Sequence, residues 1–183
     1  MKPKRVIRLG NLVLSGLLLF ALACNGSSSP TAAAGGTLRV TMKDAPTDEL
    51  SAVNVYITGL TVKAAGMPVQ TLPLTVNPNP VDLMSIVNDP TQLAAANVDP
   101  GDYEFIQIEL DADLSSVTPI GGGADLPVVI PSTEIKILGG FTVDANHETT
   151  VTLDFNADQS LVKRGDGTWL LKPVIAIDHV SQQ

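Results

Sequence analysis

The chain has 183 residues, of which 44% are hydrophobic, and it carries 19 acidic against 11 basic residues for a net charge of −8. This length suits one domain with a core of its own. The negative charge repels phosphate backbones, which excludes nucleic acid as an expected partner. The single cysteine excludes an internal disulfide, so the hydrophobic core must stabilise the fold alone.

The first 23 residues have the layout of a secretory signal peptide. Four positive charges precede an apolar run from Leu12 to Leu22, which is too short to span a bilayer because a span needs about 20 apolar residues. Ala23 and Cys24 follow, and this ending resembles the lipobox of bacterial lipoproteins, in which the cysteine is acylated and begins the mature chain. Ala21 stands where the lipobox usually has leucine. The alternative to acylation is cleavage by an ordinary signal peptidase, which would leave Cys24 as a free thiol.

A lipid on Cys24 predicts an exported protein that is anchored to the membrane of the bacterial cell envelope without being embedded in it. Residues 24–36 are rich in small residues and lack apolar periodicity, which predicts a flexible tether. Without residues 1–23 the chain keeps seven basic and all nineteen acidic residues, a net charge of −12. Asn25 favours the outer membrane if the host is Gram-negative, by analogy with lipoprotein sorting in enteric bacteria.

Beyond the tether, apolar residues alternate with polar ones, the period of a half-buried β-strand. The inward positions of the first two predicted strands are Leu38, Val40 and Met42, then Val53, Val55 and Ile57, followed by Leu60 and Val62. The parity changes after Ile57, which predicts a bulge near Thr58-Gly59 because glycine is favoured where a strand takes an extra residue.

Further strands follow the same alternation between turn residues. Their inward positions are Ile106, Ile108 and Leu110; Leu126, Val128 and Ile130; Ile135 and Ile137; Phe141 and Val143; Val151, Leu153 and Phe155. Asp166-Gly167 predicts a hairpin turn, and the apolar run from Trp169 to Ile177 predicts a strand buried on both sides, with an edge or bulge at Pro173. Asp89 to Ala96 is the segment predicted to be helical, with Asp89 as N-cap and Pro90 at its first position.

Many short alternating strands with Gly and Pro turns, and almost no helix, predict an all-β fold over residues 37–180. We expect an antiparallel β-sandwich of two sheets. A closed barrel is the alternative, and the sandwich is favoured because its two half-polar sheets suit such regular inside-outside alternation.

Six segments of the domain form an ordered set: Thr37 to Pro46, Ala52 to Val55, Asp82 to Met84, Pro100 to Tyr103, Leu153 to Phe155, and Leu171 to Val174. They recur in the same order in the bacterial and archaeal domain of unknown function DUF4382, and the chain resembles that family from about Gly36 to His179. The resemblance implies a secreted or lipid-anchored protein whose β-sandwich is related to transthyretin-like or carbohydrate-binding-like modules. It implies no particular activity.

The sequence contains few groups that could act together in catalysis. It has no Gly-x-Ser-x-Gly elbow, no His-Glu-x-x-His motif and no glycine loop for phosphate. His147 and His179 share no motif with each other or with another reactive group. We therefore predict a protein that is not an enzyme, with a carboxylate-based hydrolase as the remaining enzymatic alternative.

Asp154, Asn156 and Asp158 have the alternating spacing of the first three ligands of a calcium loop, and they are candidate calcium ligands. The rest of that pattern fails, because Gln159 stands where the turn needs Gly and Gly165 stands where a bidentate Glu is needed. The alternative is that the carboxylates line the solvated face of a strand. Further acidic groups at strand ends are Asp44 with Asp48 and Glu49, and Asp111 with Asp113. No other cofactor is predicted.

Sugar-binding sandwiches usually present exposed aromatic rings. Tyr56, Tyr103 and Phe105 are the rings most able to be exposed, although burial is the better prediction for Tyr103 and Phe105 because large rings dominate cores. We expect a non-enzymatic binding or interaction module with a glycan or protein ligand. A structural scaffold of the envelope is the alternative.

Overall fold

A computed structural model describes residues 34–45, 47–77 and 79–183. Within these residues, twelve strands form two packed sheets, accompanied by two short helical turns, which confirms the predicted β-sandwich. The strands are β1 (Gly36–Ala45), β2 (Leu50–Ala64), β3 (Val69–Thr71), β4 (Val81–Asp82), β5 (Thr91–Val98), β6 (Gly101–Pro119), β7 (Leu126–Val129), β8 (Glu134–Val143), β9 (Glu148–Asn156), β10 (Leu161–Lys163), β11 (Trp169–Leu171) and β12 (Ile175–Gln182). The helical turns are a 3-10 turn (Leu83–Ile86) and α1 (Ala157–Ser160). No helix in these ranges is long and apolar enough to cross a bilayer.

The smaller sheet has the strand order β12-β9-β1-β5. The larger sheet has the order β10-β11-β7-β6-β2-β3, with β4 also paired to β2 and β8 paired to β6. Most neighbours run antiparallel, whereas β1 runs parallel to β9 and β7 runs parallel to β11. Parallel neighbours need a long connection between them. The connection from β1 to β9 is long because it contains most of the strands of the larger sheet.

Alternating apolar side chains from both sheets meet in one core. In β1, Leu38, Val40 and Met42 are all buried, as the alternation predicts. In β2, the pairing with β6 shifts register between Ile57 and Gly59, and the buried side chains change parity at the same place, which confirms the predicted bulge. The bulge keeps the apolar side chains of this 15-residue strand on the core face.

The segment predicted to be helical, Asp89 to Ala96, is extended instead, so that prediction was wrong. From Thr91 onward it forms β5, which pairs antiparallel with β1. Leu93 and Ala94 are fully buried in this position. The alanine-rich run favours a helix only weakly, and this preference is overridden because the strand gains ladder hydrogen bonds and core packing along the edge of β1.

The apolar run from Trp169 to Ile177 is not one strand buried on both sides, as predicted, but divides between the two sheets. Its first part, β11, is buried throughout and belongs to the larger sheet, whereas its second part, β12, is partly exposed and belongs to the smaller sheet. Pro173 lies in the link between them, where a residue without an N–H costs no ladder hydrogen bond. The hairpin predicted at Asp166-Gly167 joins β10 to β11, with Gly167 at a φ of +85°.

Arg39 connects three strands across the outer face of the smaller sheet. Its Nε and Nη2 donate to the Glu148 carboxylate on β9 at 2.9 and 3.0 Å, and its Nη1 donates to the Gln92 side chain on β5. The hydrogen bonds between the two charged groups lower the pKa of Glu148 and raise the pKa of Arg39. Both groups therefore stay charged at neutral pH.

Gly36 begins β1 at a crowded point. A Cβ there would lie 2.5 Å from the Asp144 carbonyl oxygen and 2.5 Å from the Val143 Cγ1. We expect Gly36→Ala to lower the free energy of unfolding by about 1–3 kcal/mol, the usual cost of overpacking, as measured by urea denaturation. Gly165→Ala is the control, because nothing lies within 4 Å of its Cβ position. Equal effects of the two substitutions would contradict the crowding at Gly36.

Candidate functional site

An open cavity of about 360 Å³ lies beside Pro173, in the link between β11 and β12. Its walls come from the β7–β8 loop, the start of β8 and the link between β11 and β12. The lining residues are Pro131, Ser132, Glu134, Ile135, Lys136, Lys172 and Pro173. We call it the lysine cavity, because Lys136 and Lys172 are among its lining residues.

Backbone hydrogen bonds fix both walls of the lysine cavity. The Leu110 N–H donates to the Thr133 carbonyl at 2.8 Å, which holds the β7–β8 loop against β6. The Lys172 N–H donates to the Ser160 carbonyl at 2.8 Å, and the Val174 N–H donates to the Ser160 hydroxyl at 2.8 Å. The two prolines of the lining restrict the backbone further. The cavity is therefore set by the scaffold.

The charge of the lysine cavity differs from that of the domain around it. Residues 34–183 carry seven basic and nineteen acidic side chains, and two of the seven line this cavity, together with Glu134. The Lys136 ammonium lies 3.9 Å from the centre of the Phe105 ring on β6, a cation–π contact that favours this position. Because an ammonium offers three N–H donors and no acceptor, the two lysines suit a carboxylate or a similar anion.

The rings of Tyr103 and Phe105 are both buried, as the sequence favoured. Tyr103 stacks on Phe141 with ring centres 5.1 Å apart, and its hydroxyl donates to the Asp99 carbonyl at 2.8 Å. Burial raises the pKa of Tyr103. Tyr56 on β2 is half-buried. Tyr103 and Phe105 therefore contribute to packing and do not offer an open platform for sugar rings.

The three candidate calcium ligands lie in two different elements. Asp154 and Asn156 lie on the outward face of β9, and Asp158 lies in α1. The Asn156 Oδ1 accepts from the Gln159 N–H at 2.9 Å and so caps α1. Glu49 and Asp158 line one cavity of about 280 Å³. Among residues 34–45, 47–77 and 79–183, no group of three or more His, Cys, Asp or Glu side chains is placed to hold a metal ion.

Another pair of carboxylates, Asp82 and Asp89, shares a cavity of about 350 Å³ beside the 3-10 turn. Asp82 has a structural role there, because its Oδ1 accepts from the Val53 N–H at 3.0 Å and from the Met84 N–H at 3.1 Å. The Ser85 hydroxyl donates to the Asp82 backbone carbonyl at 2.7 Å. This hydroxyl is therefore directed at a main-chain oxygen, whereas an activated nucleophile would face a base.

The two histidines occupy separate exposed positions. His147 lies in the β8–β9 turn, with its Nδ1 2.9 Å from the Ala145 carbonyl oxygen. His179 lies on β12, opposite Thr152. Cys24, the predicted lipidation site, lies outside the described residues, as does most of the predicted tether.

The lysine cavity is the feature that the sequence patterns did not predict. Lys136 and Lys172 are 36 positions apart, and each fits an ordinary solvated position of a strand or link. The usable signals were Pro131 and Pro173, which interrupt two apolar runs. Neither proline indicates which other segment lies beside it.

The architecture defines the class of protein, an all-β domain of two packed sheets. The sequence pattern of the domain of unknown function DUF4382 matches residues 35–173, and the chain belongs to this family. The match confirms the resemblance carried by the six ordered segments. Comparison with curated proteins and with solved structures finds no match.

We expect Asp154, Asn156 and Asp158 to behave as surface side chains. Calcium at about 1 mM, where weak extracellular sites fill, should then leave the Tm unchanged relative to magnesium in a thermal-shift assay. Asp154→Asn and Asp158→Asn should respond like the parent protein. A rise in Tm specific to calcium that is lost in Asp154→Asn and kept in Asp113→Asn would contradict this expectation and establish a metal site.

Proposed function

We propose that this chain is an exported, lipid-anchored envelope protein that acts as a non-enzymatic binding module, with the lysine cavity as its binding site. The N-terminal pattern that ends at Cys24 supports the anchor. One observation carries the binding role: two of the seven basic residues in a strongly acidic domain line one cavity whose walls are held by backbone hydrogen bonds. Binding residues held by a rigid sandwich are a common arrangement.

The ligand class that fits this cavity is a saccharide that carries a carboxylate. Lys136 and Lys172 can each donate a charge-assisted hydrogen bond to carboxylate oxygens, worth about 1.5–3 kcal/mol apiece. Sugar hydroxyls can bind Ser132 and Glu134, and the apolar faces of the ring can pack on the two prolines. The acidic residues elsewhere oppose an anion only weakly, because physiological salt screens charges beyond about 8 Å.

Two alternatives to a binding module would require different features of the domain. A structural scaffold needs no ligand, so substitutions in the lysine cavity would leave its role unchanged. A carboxylate-based hydrolase needs an acid and a base placed about a substrate bond, and the cavity of Asp82 and Asp89 is where such a pair would act. The hydrogen bonds that Asp82 accepts from the backbone favour a structural role for it, which weighs against this alternative.

The anchor is tested at Cys24. We expect the parent protein to incorporate labelled palmitate and to lose residues 1–23, and Cys24→Ser to incorporate no palmitate, because the thiol is the group that the lipobox resemblance implies is acylated. Mass spectrometry of the N-terminal peptide measures both steps. Ser27→Ala is the control and should behave like the parent. An unmodified Cys24 thiol in the purified native protein would contradict the proposal.

The binding site is tested with residues 24–183 carrying Cys24→Ser. We expect an oligosaccharide of uronic acids to raise the Tm and its neutral counterpart to have no effect, because a ligand that binds only the folded state stabilises it. Lys136→Gln and Lys172→Gln should each weaken binding by about tenfold or more. Lys43→Gln, on the outer face of the smaller sheet, is the matched control and should bind normally. Equal losses in all three variants would show nonspecific charge attraction and would contradict the assigned site.

A further inference from the structure

The loop between β2 and β3 is apolar although it is exposed. Residues 65–69, Ala-Gly-Met-Pro-Val, carry no polar or charged side chain, and all five are exposed. Met67 keeps 45% and Val69 53% of its surface open to solvent. Hairpin tips are ordinarily built from Gly, Pro, Asn, Asp and Ser, so Met67 and Val69 are not explained by turn formation. We call residues 65–69 the apolar loop.

The apolar loop lies at the end of the sandwich where the chain enters the domain. Gly35, the residue before β1, lines one cavity together with Gln70 and Asp99. Gln70 and Asp99 also line the adjoining cavity, whose other lining residues include Met67 and Val69. The entry of the chain and the apolar loop are therefore neighbours on one end of the domain.

The hairpin that carries the apolar loop is fixed to the domain. The Ala65 N–H donates to the Asp102 carbonyl at 2.8 Å, and the Met67 N–H donates to the Ala64 carbonyl at 3.1 Å. The first bond holds the start of the apolar loop against β6, and the second closes a turn within the hairpin. An apolar tip on a hairpin attached in this way is suited to a surface that lies next to this end of the domain.

The length of chain between the anchor and the domain limits how far this end can lie from a bilayer. Ala34 lies ten positions after Cys24. Even a fully extended chain of that length spans at most about 35 Å. With a lipid on Cys24, the end of the sandwich that carries Gly35 therefore stays within that distance of the membrane, and the apolar loop is on that end.

We propose that the apolar loop inserts into the headgroup region of the bilayer to which the chain is anchored, as a second membrane contact; this inference rests on the proposed lipid anchor. Met67 and Val69 would leave water for the acyl boundary, as the apolar side chains of interfacial segments do. The neighbouring turns carry Asp99, Asp102 and Asp144. Because carboxylates repel anionic headgroups, the fitting surface is a zwitterionic phospholipid.

The test uses the mature lipidated protein in phosphatidylcholine vesicles, with an environment-sensitive fluorophore on Met67→Cys. Acylation of Cys24 leaves the new thiol as the one that reacts. Ile120→Cys is the matched control, because Ile120 is also apolar and 60% exposed but follows β6 at the opposite end of the sandwich. We expect lipid-borne quenchers to reduce emission at position 67 about twofold or more, as for a side chain in the headgroup region, and emission at position 120 to be unchanged.

Each outcome decides a separate point. Protein that does not float with the vesicles overturns the anchor, and the inference with it. Protein that floats while position 67 stays unquenched overturns the apolar-loop contact and leaves the anchor standing. Quenching at position 67 that falls when half of the lipid is phosphatidylglycerol supports the choice of a zwitterionic surface, whereas quenching that rises overturns it. A spectral shift that needs no vesicles and grows with protein concentration assigns the loop to contact between copies and overturns the inference.

Discussion

Burial of alternating apolar side chains between the two sheets is the interaction on which the rest of this structure depends. The described residues contain no cysteine, so no covalent bond between strands supports the sandwich. Each sheet therefore buries one face in the core, and its other face remains at the surface. The bulge at Gly59 keeps the core face of β2 apolar along its whole length, because without it half of β2 would turn its apolar side chains to solvent.

The sequence predicted those parts of the fold that depend on local spacing. The alternation in β1 and the change of parity in β2 follow from the two-residue period of a strand, which tertiary contacts do not alter. The same local argument failed for Asp89 to Ala96, since the helix preference of an alanine-rich run is small compared with the pairing that β1 offers. Local patterns thus succeed where burial and periodicity agree and fail where a free strand edge needs a partner.

The lysine cavity is a feature that the spacing of residues in the sequence does not predict. It exists because one apolar run divides at Pro173 between two sheets, which brings Lys172 beside a loop that precedes β8. The run itself predicts burial but not the sheet to which each half belongs. The parallel pairing of β1 with β9 is a second example, because it places Asp44 against Ala157, whose N–H donates to the Asp44 Oδ1 at 2.9 Å. Such neighbours follow from topology, which one sequence encodes only indirectly.

The β8–β9 turn brings both ends of the described domain together. The Asn146 N–H donates to the Gly35 carbonyl, while Glu148 exchanges two backbone hydrogen bonds with Gln183. Any polypeptide that continues past Gln183 emerges beside the point of entry, so a fused module or a purification tag would crowd the end of the domain that carries Gly35. Lys136 lies seven residues back along β8 from Val143, about 23 Å at the usual strand rise. An insertion meant to avoid crowding this end therefore belongs in the β6–β7 loop.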